Sequence, residues 1–156
     1  MGETTHSEAT HSETPPCAIA GLDPEAVHAW IEVAPGRVIA FANTHLTSDP
    51  YGPELVRDGK ILQEVLDNQA ATRLPEAQAL TAGLKPLIDK GIPLILTGDF
   101  NSPSWRDWTD AAIEVRPKPA FPVAWPISHA LELAGFTDSF RAVHPDPHPH
   151  PRSDHR

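Results

Sequence analysis

The sequence predicts an α/β fold, and three observations carry that expectation. A stretch of helical period from Glu76 to Lys90 runs directly into a short apolar segment, Ile92 to Thr97. An alternating segment, Val27 to Val33, is joined by a turn to a second apolar run, Val38 to Ala42. Finally, 18 prolines among 156 residues argue against a bundle of long helices and favour many short elements. Short apolar strands beside amphipathic helices sort into a sheet with helices packed on it. At this length about two-thirds of the unfolded chain's surface is open to burial, enough for one domain.

Taken in order, residues 1–16 are polar and nearly repeat themselves, Thr5-His6-Ser7-Glu8 returning as Thr10-His11-Ser12-Glu13. With almost nothing apolar to bury, they are expected to form a disordered arm. The domain proper is expected over 17–142. Val27, Ala29, Ile31 and Val33 alternate with His28, Trp30 and Glu32, and Ala34-Pro35-Gly36-Arg37 supplies a turn, so a β-hairpin is predicted whose second strand is buried on both faces. That strand delivers Asn43, Thr44, His45 and Leu46 at its C-terminal end, ahead of a Ser-Asp-Pro-Tyr-Gly loop.

Helices are predicted over Glu54–Leu66 and Glu76–Lys90, the second with Leu80, Leu84, Leu87 and Ile88 on one face, Gly91 as its stop and Pro86 as an interruption. Ile92–Thr97 reads as a buried strand, and Gly98-Asp99-Phe100-Asn101-Ser102-Pro103-Ser104 as the turn beyond it. Ser104 is placed to cap a short helix from Trp105 to Ala112, and Ser128–Ala134 with Gly135 behind it predicts another. The i, i+3 spacing of Trp105 and Trp108 suits packing, with stacking on a substrate as the other use. From 143 to 156 proline and histidine alternate, which predicts a disordered tail.

Composition narrows the function. Twelve basic against 21 acidic residues give a net charge of −9, so the surface repels polyanions and any phosphate ligand needs a local cation. Cys17 is the only cysteine, which excludes an intrachain disulfide and a zinc site of several thiolates. No run of about 18 apolar residues and no basic start followed by an apolar core is present, so neither a membrane span nor a signal peptide is predicted and a cytoplasmic protein is expected.

The residues with chemistry are in the turn after the Ile92–Thr97 segment. Asp99 and Asn101 are two apart on an extended segment and can reach one ligand. A carboxylate there binds a hard cation or deprotonates water, and a neutral amide beside it donates to a phosphoryl oxygen without adding negative charge. The other reading of the same two residues is that they fix a tight turn. His45, after the other strand, is either structural or a contact to the same ligand.

This turn, the apolar strand before it, Thr44-His45-Leu46 upstream and Gly135-Phe136-Thr137-Asp138-Ser139-Phe140-Arg141 downstream resemble the endonuclease/exonuclease/phosphatase proteins. These include deoxyribonuclease I, exonuclease III, the neutral sphingomyelinases and the inositol polyphosphate phosphatases. The resemblance covers about Val27 to Pro147 and is specific for family, not for substrate. It implies a two-sheet β-sandwich flanked by helices, here partial, with the site at the C-terminal ends of the strands. It also implies a Mg²⁺- or Mn²⁺-dependent phosphoester hydrolase in which His45 contacts the phosphoryl group, Asp99 orients or deprotonates water or holds the metal, and Asn101 steadies the transition state. Asp138 would fix a turn or link a helix.

Ser153-Asp154-His155 resembles the family's last motif, whose Asp reaches the metal and whose His contacts the scissile phosphate, so Asp154 and His155 join the candidate site. A Pro/His tail stands where the family carries further strands, and a chance triplet or a splice is the other reading. The family's opening strand, with its Asn and its metal-binding Glu, is not recognisable before Val27; Asp23, Glu25 and Glu32 are the acidic candidates there. An incomplete domain is therefore expected, and a non-catalytic remnant is the alternative to the enzyme. A third reading is metal binding or scaffolding through the His-rich ends, where His144, His148, His150 and His155 lie in a Pro/His context that assigns no zinc. The acidic surface favours a small or lipid-linked phosphoester over nucleic acid. Oligomeric state is left open.

Overall fold

A computed structural model describes residues 27–114 and 120–147. They form a mixed α/β arrangement with one three-stranded sheet and six helices among the described residues. The strands are β1 (Val27–Ala34), β2 (Arg37–His45) and β3 (Leu94–Asp99), in the order β1-β2-β3. β1 and β2 pair antiparallel through the Ala34–Arg37 turn, whereas β2 and β3 are parallel, with Ala40 opposite Leu94 and His45 opposite Asp99. A parallel pair needs a long crossover. Here it consists of α1 (Gly52–Arg57), α2 (Leu62–Ala71) and α3 (Arg73–Asp89).

α3 lays Leu80, Leu84 and Leu87 against Ala40 and Ala42 of β2, with Trp30, Leu94, Leu96 and Phe136 around them. Each fully buried leucine contributes about 1.5–3 kcal/mol of apolar burial. That packing carries the helix through Pro86, which has no N–H to donate and sits on the exposed side. A second core joins Val56, Val65, Ile113 and Val123 to Trp108 and Trp125, whose rings meet edge to face at 5.1 Å. After α4 (Asp110–Ile113), α5 (Pro126–Leu133) adds Ile127 to a third cluster with Leu46 and Ala77, and α6 (Ser139–Val143) closes the described chain. None of the described helices is long and apolar enough to cross a membrane.

Several expectations are corrected. The predicted helix 54–66 is two helices, because Gly59 adopts φ +84, a left-handed conformation that ends α1 before α2 begins at Leu62. The predicted helix 105–112 is a 3-10 turn, Trp105–Asp107, and then α4, capped by Thr109; the Ser104 hydroxyl donates instead to Asp138 Oδ2 at 3.0 Å. Both β2 and β3 run further than predicted, so His45, Gly98 and Asp99 belong to strands rather than to the loops beyond them.

Neither strand is buried on both faces. Ala40, Ala42 and Thr44 are buried, while the intervening Asn43 and His45 are exposed, and Ile95 is 47% exposed. In β1 the predicted apolar stripe lies outside, with Ile31 and Val33 at 42% and 55% exposure, and Trp30 is the residue that packs inward. The stretch expected to be a tail is held at its start, where Arg141 Nη1 donates to the carbonyls of His144 and Asp146. The arm 1–16, Cys17, and Asp154 and His155 lie outside the described residues.

Candidate functional site

The site begins where two parallel strands end together. His45 and Asp99 are the last residues of β2 and β3 and are paired in register, which sets their side chains on one face at neighbouring strand ends, about 4.8 Å apart in backbone spacing. The preceding pair is Thr44 and Gly98. Gly98 has φ +144, and a Cβ built there would overlap the Thr44 carbonyl oxygen, so only glycine allows the strands this approach just before the pair. Both His45 and Asp99 are exposed.

Beyond the strands the two exits are stitched together. Leu46 N–H donates to Asp99 O at 3.0 Å, Asn101 N–H donates to Asp99 Oδ1 at 2.9 Å, and Asn101 Nδ2 donates to Leu46 O at 2.8 Å. Asn101 takes φ +46, is 4% exposed and acts as the pin of this turn. One Asp99 oxygen is thus committed to the turn, which restrains the orientation of the carboxylate of this exposed residue. Asp138 has the helix-linking role expected of it. Its Oδ1 accepts from Arg141 N at 3.0 Å as the N-cap of α6, and its Oδ2 accepts from Ser104.

The loop after His45 is held from below by the first turn of α3. Glu76 accepts from the Thr47 backbone N–H at 2.9 Å and from the Thr47 hydroxyl. Buried Arg73 donates to the carbonyls of Ser48 and Pro50 at 2.5 and 2.7 Å. Sequence reading missed this clamp, because nothing local marks Arg73 and Glu76 as partners of a loop more than 20 residues upstream. The sequence places Asn43 at the strand's end without a role of its own and leaves Thr97 unmarked, yet each is two residues before a candidate and therefore on the same face; the Thr97 hydroxyl donates to Asn43 Oδ1 at 3.1 Å. The period of two was the available signal.

What the described residues provide for a metal is limited. Among them no three His, Cys, Asp or Glu side chains converge as a cation site. His45 with Asp99 falls short of the oxygen set that octahedral Mg²⁺ takes, so these residues do not make up a Mg²⁺ site by themselves. A cleft of about 250 Å³ lies at the covered face, with Leu96, Phe100, Ile127, Phe136, Ser104 and Asp138 in its lining, and does not include His45 or Asp99.

No family model matches the chain, and no solved structure matches it. A protein of Caenorhabditis elegans described as uncharacterized is 28% identical over 127 residues, covering 78% of this chain and 40% of the relative. The chain therefore spans less than half the length of that relative, whose description names no activity.

Proposed function

We propose that this chain belongs with the endonuclease/exonuclease/phosphatase proteins and contributes the phosphoryl-facing part of a metal-dependent phosphoester hydrolase. One observation carries the reading: His45 and Asp99, from motifs about 50 residues apart, are register partners at the C-terminal ends of parallel strands. That end of a parallel sheet is where ligands bind in open α/β structures. The exposed sheet face with Ile31 and Ile95 supports the inner layer of a two-sheet sandwich, because apolar residues on a sheet face are placed for a second layer about 10 Å away.

In this reading Asp99, held at Oδ1 by the Asn101 N–H, uses Oδ2 to orient and deprotonate the attacking water. His45 donates to a phosphoryl oxygen as negative charge develops. Asn101 supports Asp99 and holds the Leu46 carbonyl, a role closer to positioning than to contact with the transition state. A Mg²⁺ or Mn²⁺ would supply charge neutralisation on the phosphoryl oxygens, with Asp99 as one ligand and the rest from outside the described residues. A net charge of −9 favours a small or lipid-linked phosphoester over a nucleic acid.

The test is hydrolysis of a model phosphodiester, bis(p-nitrophenyl) phosphate, by the full chain with Mg²⁺, Mn²⁺ or a chelator. Little turnover is expected of this chain alone, whose described residues do not make up a Mg²⁺ site, and whatever metal-dependent turnover it shows is expected to fall by roughly two to four orders of magnitude in Asp99→Ala. Undiminished hydrolysis by Asp99→Ala would remove Asp99 from the mechanism, activity in chelator would remove the metal, and no turnover under any condition would favour the non-catalytic remnant.

A further inference from the structure

Four polar side chains form a two-by-two grid on the open face of the sheet. Asn43 and His45 alternate along β2, Thr97 and Asp99 along β3, and the register pairs Asn43 with Thr97 and His45 with Asp99. Same-face residues on one strand are about 6.7 Å apart and paired residues on neighbouring strands about 4.8 Å, so the grid has the dimensions of a phosphate-sized group and its hydrogen bonds.

The Thr97 hydroxyl has one proton and two acceptors within reach, Asn43 Oδ1 at 3.1 Å and the Ala42 carbonyl at 3.4 Å. Its bond to Oδ1 occupies the acceptor end of the Asn43 amide, so the end left facing outward is Nδ2, a pair of N–H donors on an exposed residue. The contrast with Asn101 is direct, since that amide donates inward to Leu46 O and the residue is 4% exposed. A neutral donor next to His45 and diagonal to Asp99 is what a phosphoryl oxygen needs there, because a second acceptor would repel it.

We infer that Asn43 is a further ligand-contacting residue of this face, donating from Nδ2 to a phosphoryl oxygen alongside His45, and that Thr97 is the positioning residue that fixes the direction of the Asn43 amide. This rests on the phosphoesterase reading and transfers to Asn43 the amide-donor role that the sequence suggested for Asn101.

The experiment is a titration of the ¹⁵N-labelled full chain with inorganic phosphate, following the side-chain amides of Asn43 and Asn101 and the His45 ring by NMR. The Asn43 NH₂ and the His45 ring are expected to shift with one midpoint while the Asn101 NH₂ does not. Asn43→Ala should weaken phosphate binding about tenfold, the scale of one hydrogen bond to a charged group. Thr97→Val should weaken it as well, and Thr97→Ser, which restores the hydroxyl, should recover it. Phosphate that moves His45 and the residues around Asp99 without moving the Asn43 amide, or that binds Asn43→Ala as it binds the wild type, overturns this inference and leaves the phosphoesterase reading in place. Phosphate that moves none of them overturns both.

Discussion

The two faces of the sheet are built from alternate residues of the same strands, yet they do different things. On the helix-covered face Ala40, Ala42, Leu94 and Leu96 meet Leu80, Leu84 and Leu87 of α3, and the side chains touching there carry almost no polarity. On the open face the same strands present Phe41, Asn43 and His45, and Ile95, Thr97 and Asp99, none of which belongs to a core cluster of the described residues. A one-residue shift of register would exchange the two sets. The covered face therefore fixes the register, and the register places His45 against Asp99. Stability and candidate chemistry are linked through the backbone although the side chains involved point in opposite directions.

Truncations on the two faces give the largest test of that contrast. Leu84 is fully buried, so Leu84→Ala is expected to lower stability by about 2–5 kcal/mol, through lost burial and the cavity left behind. Ile95, on the adjoining strand but 47% exposed, is expected to lose less than about 1 kcal/mol on the same change. Urea unfolding of the two variants reads both numbers. Equal losses would mean that the open face is covered in solution, and the contrast would collapse.

Gly98→Ala comes next. Its added methyl meets the Thr44 carbonyl at a positive φ, so a loss of about 2–3 kcal/mol is expected from strain and separation of β2 from β3. If the variant melts like the wild type, the strands do not need this approach to align His45 with Asp99.

Which parts of this were legible in the sequence follows from the range of the forces involved. The α/β class, α3 and the hairpin came from periodicity, a local signal, and His45 and Asp99 were marked by sitting at the ends of apolar runs. The inward face of β1 is not given by the alternation alone, because Val27, Ala29, Ile31 and Val33 form a clean apolar stripe while tertiary packing puts Trp30 against the core. Gly59 was passed over inside a helix-like pattern, although a glycine at positive φ is a common helix stop. The division of labour between Asn43 and Asn101 was not legible at all. Both are asparagines beside an apolar strand, and only the partners of their amides, Thr97 for one and Leu46 for the other, distinguish an outward donor from a turn pin.

The smallest effect expected concerns the rim of the covered face. Arg106 Nε donates to Glu132 Oε1 at 2.6 Å, tying the 3-10 turn to α5, while Arg106 also lies 5.0 Å from the Trp105 ring centre. The hydrogen bond from Arg106 is the main cause that holds the Glu132 carboxyl below the ordinary carboxylate value of about 4.3. A depressed folded value means that the pair stabilises the protein fully above the ordinary value and loses that contribution as the pH falls through the lower folded value. Because the Arg106 side chain is 47% exposed, solvent screening limits the contribution to less than about 1 kcal/mol. Glu132→Gln should therefore be slightly less stable than the wild type at pH 7, with the difference shrinking as urea unfolding is repeated from about pH 5 downward. On the open face the Thr97–Asn43 bond has no titratable group, so Thr97→Val should show a stability difference that does not change over the same range. A constant difference for Glu132→Gln would remove the Arg106 pair as its cause, and an acid-dependent one for Thr97→Val would couple Thr97 to the titratable neighbours on its own face, His45 and Asp99.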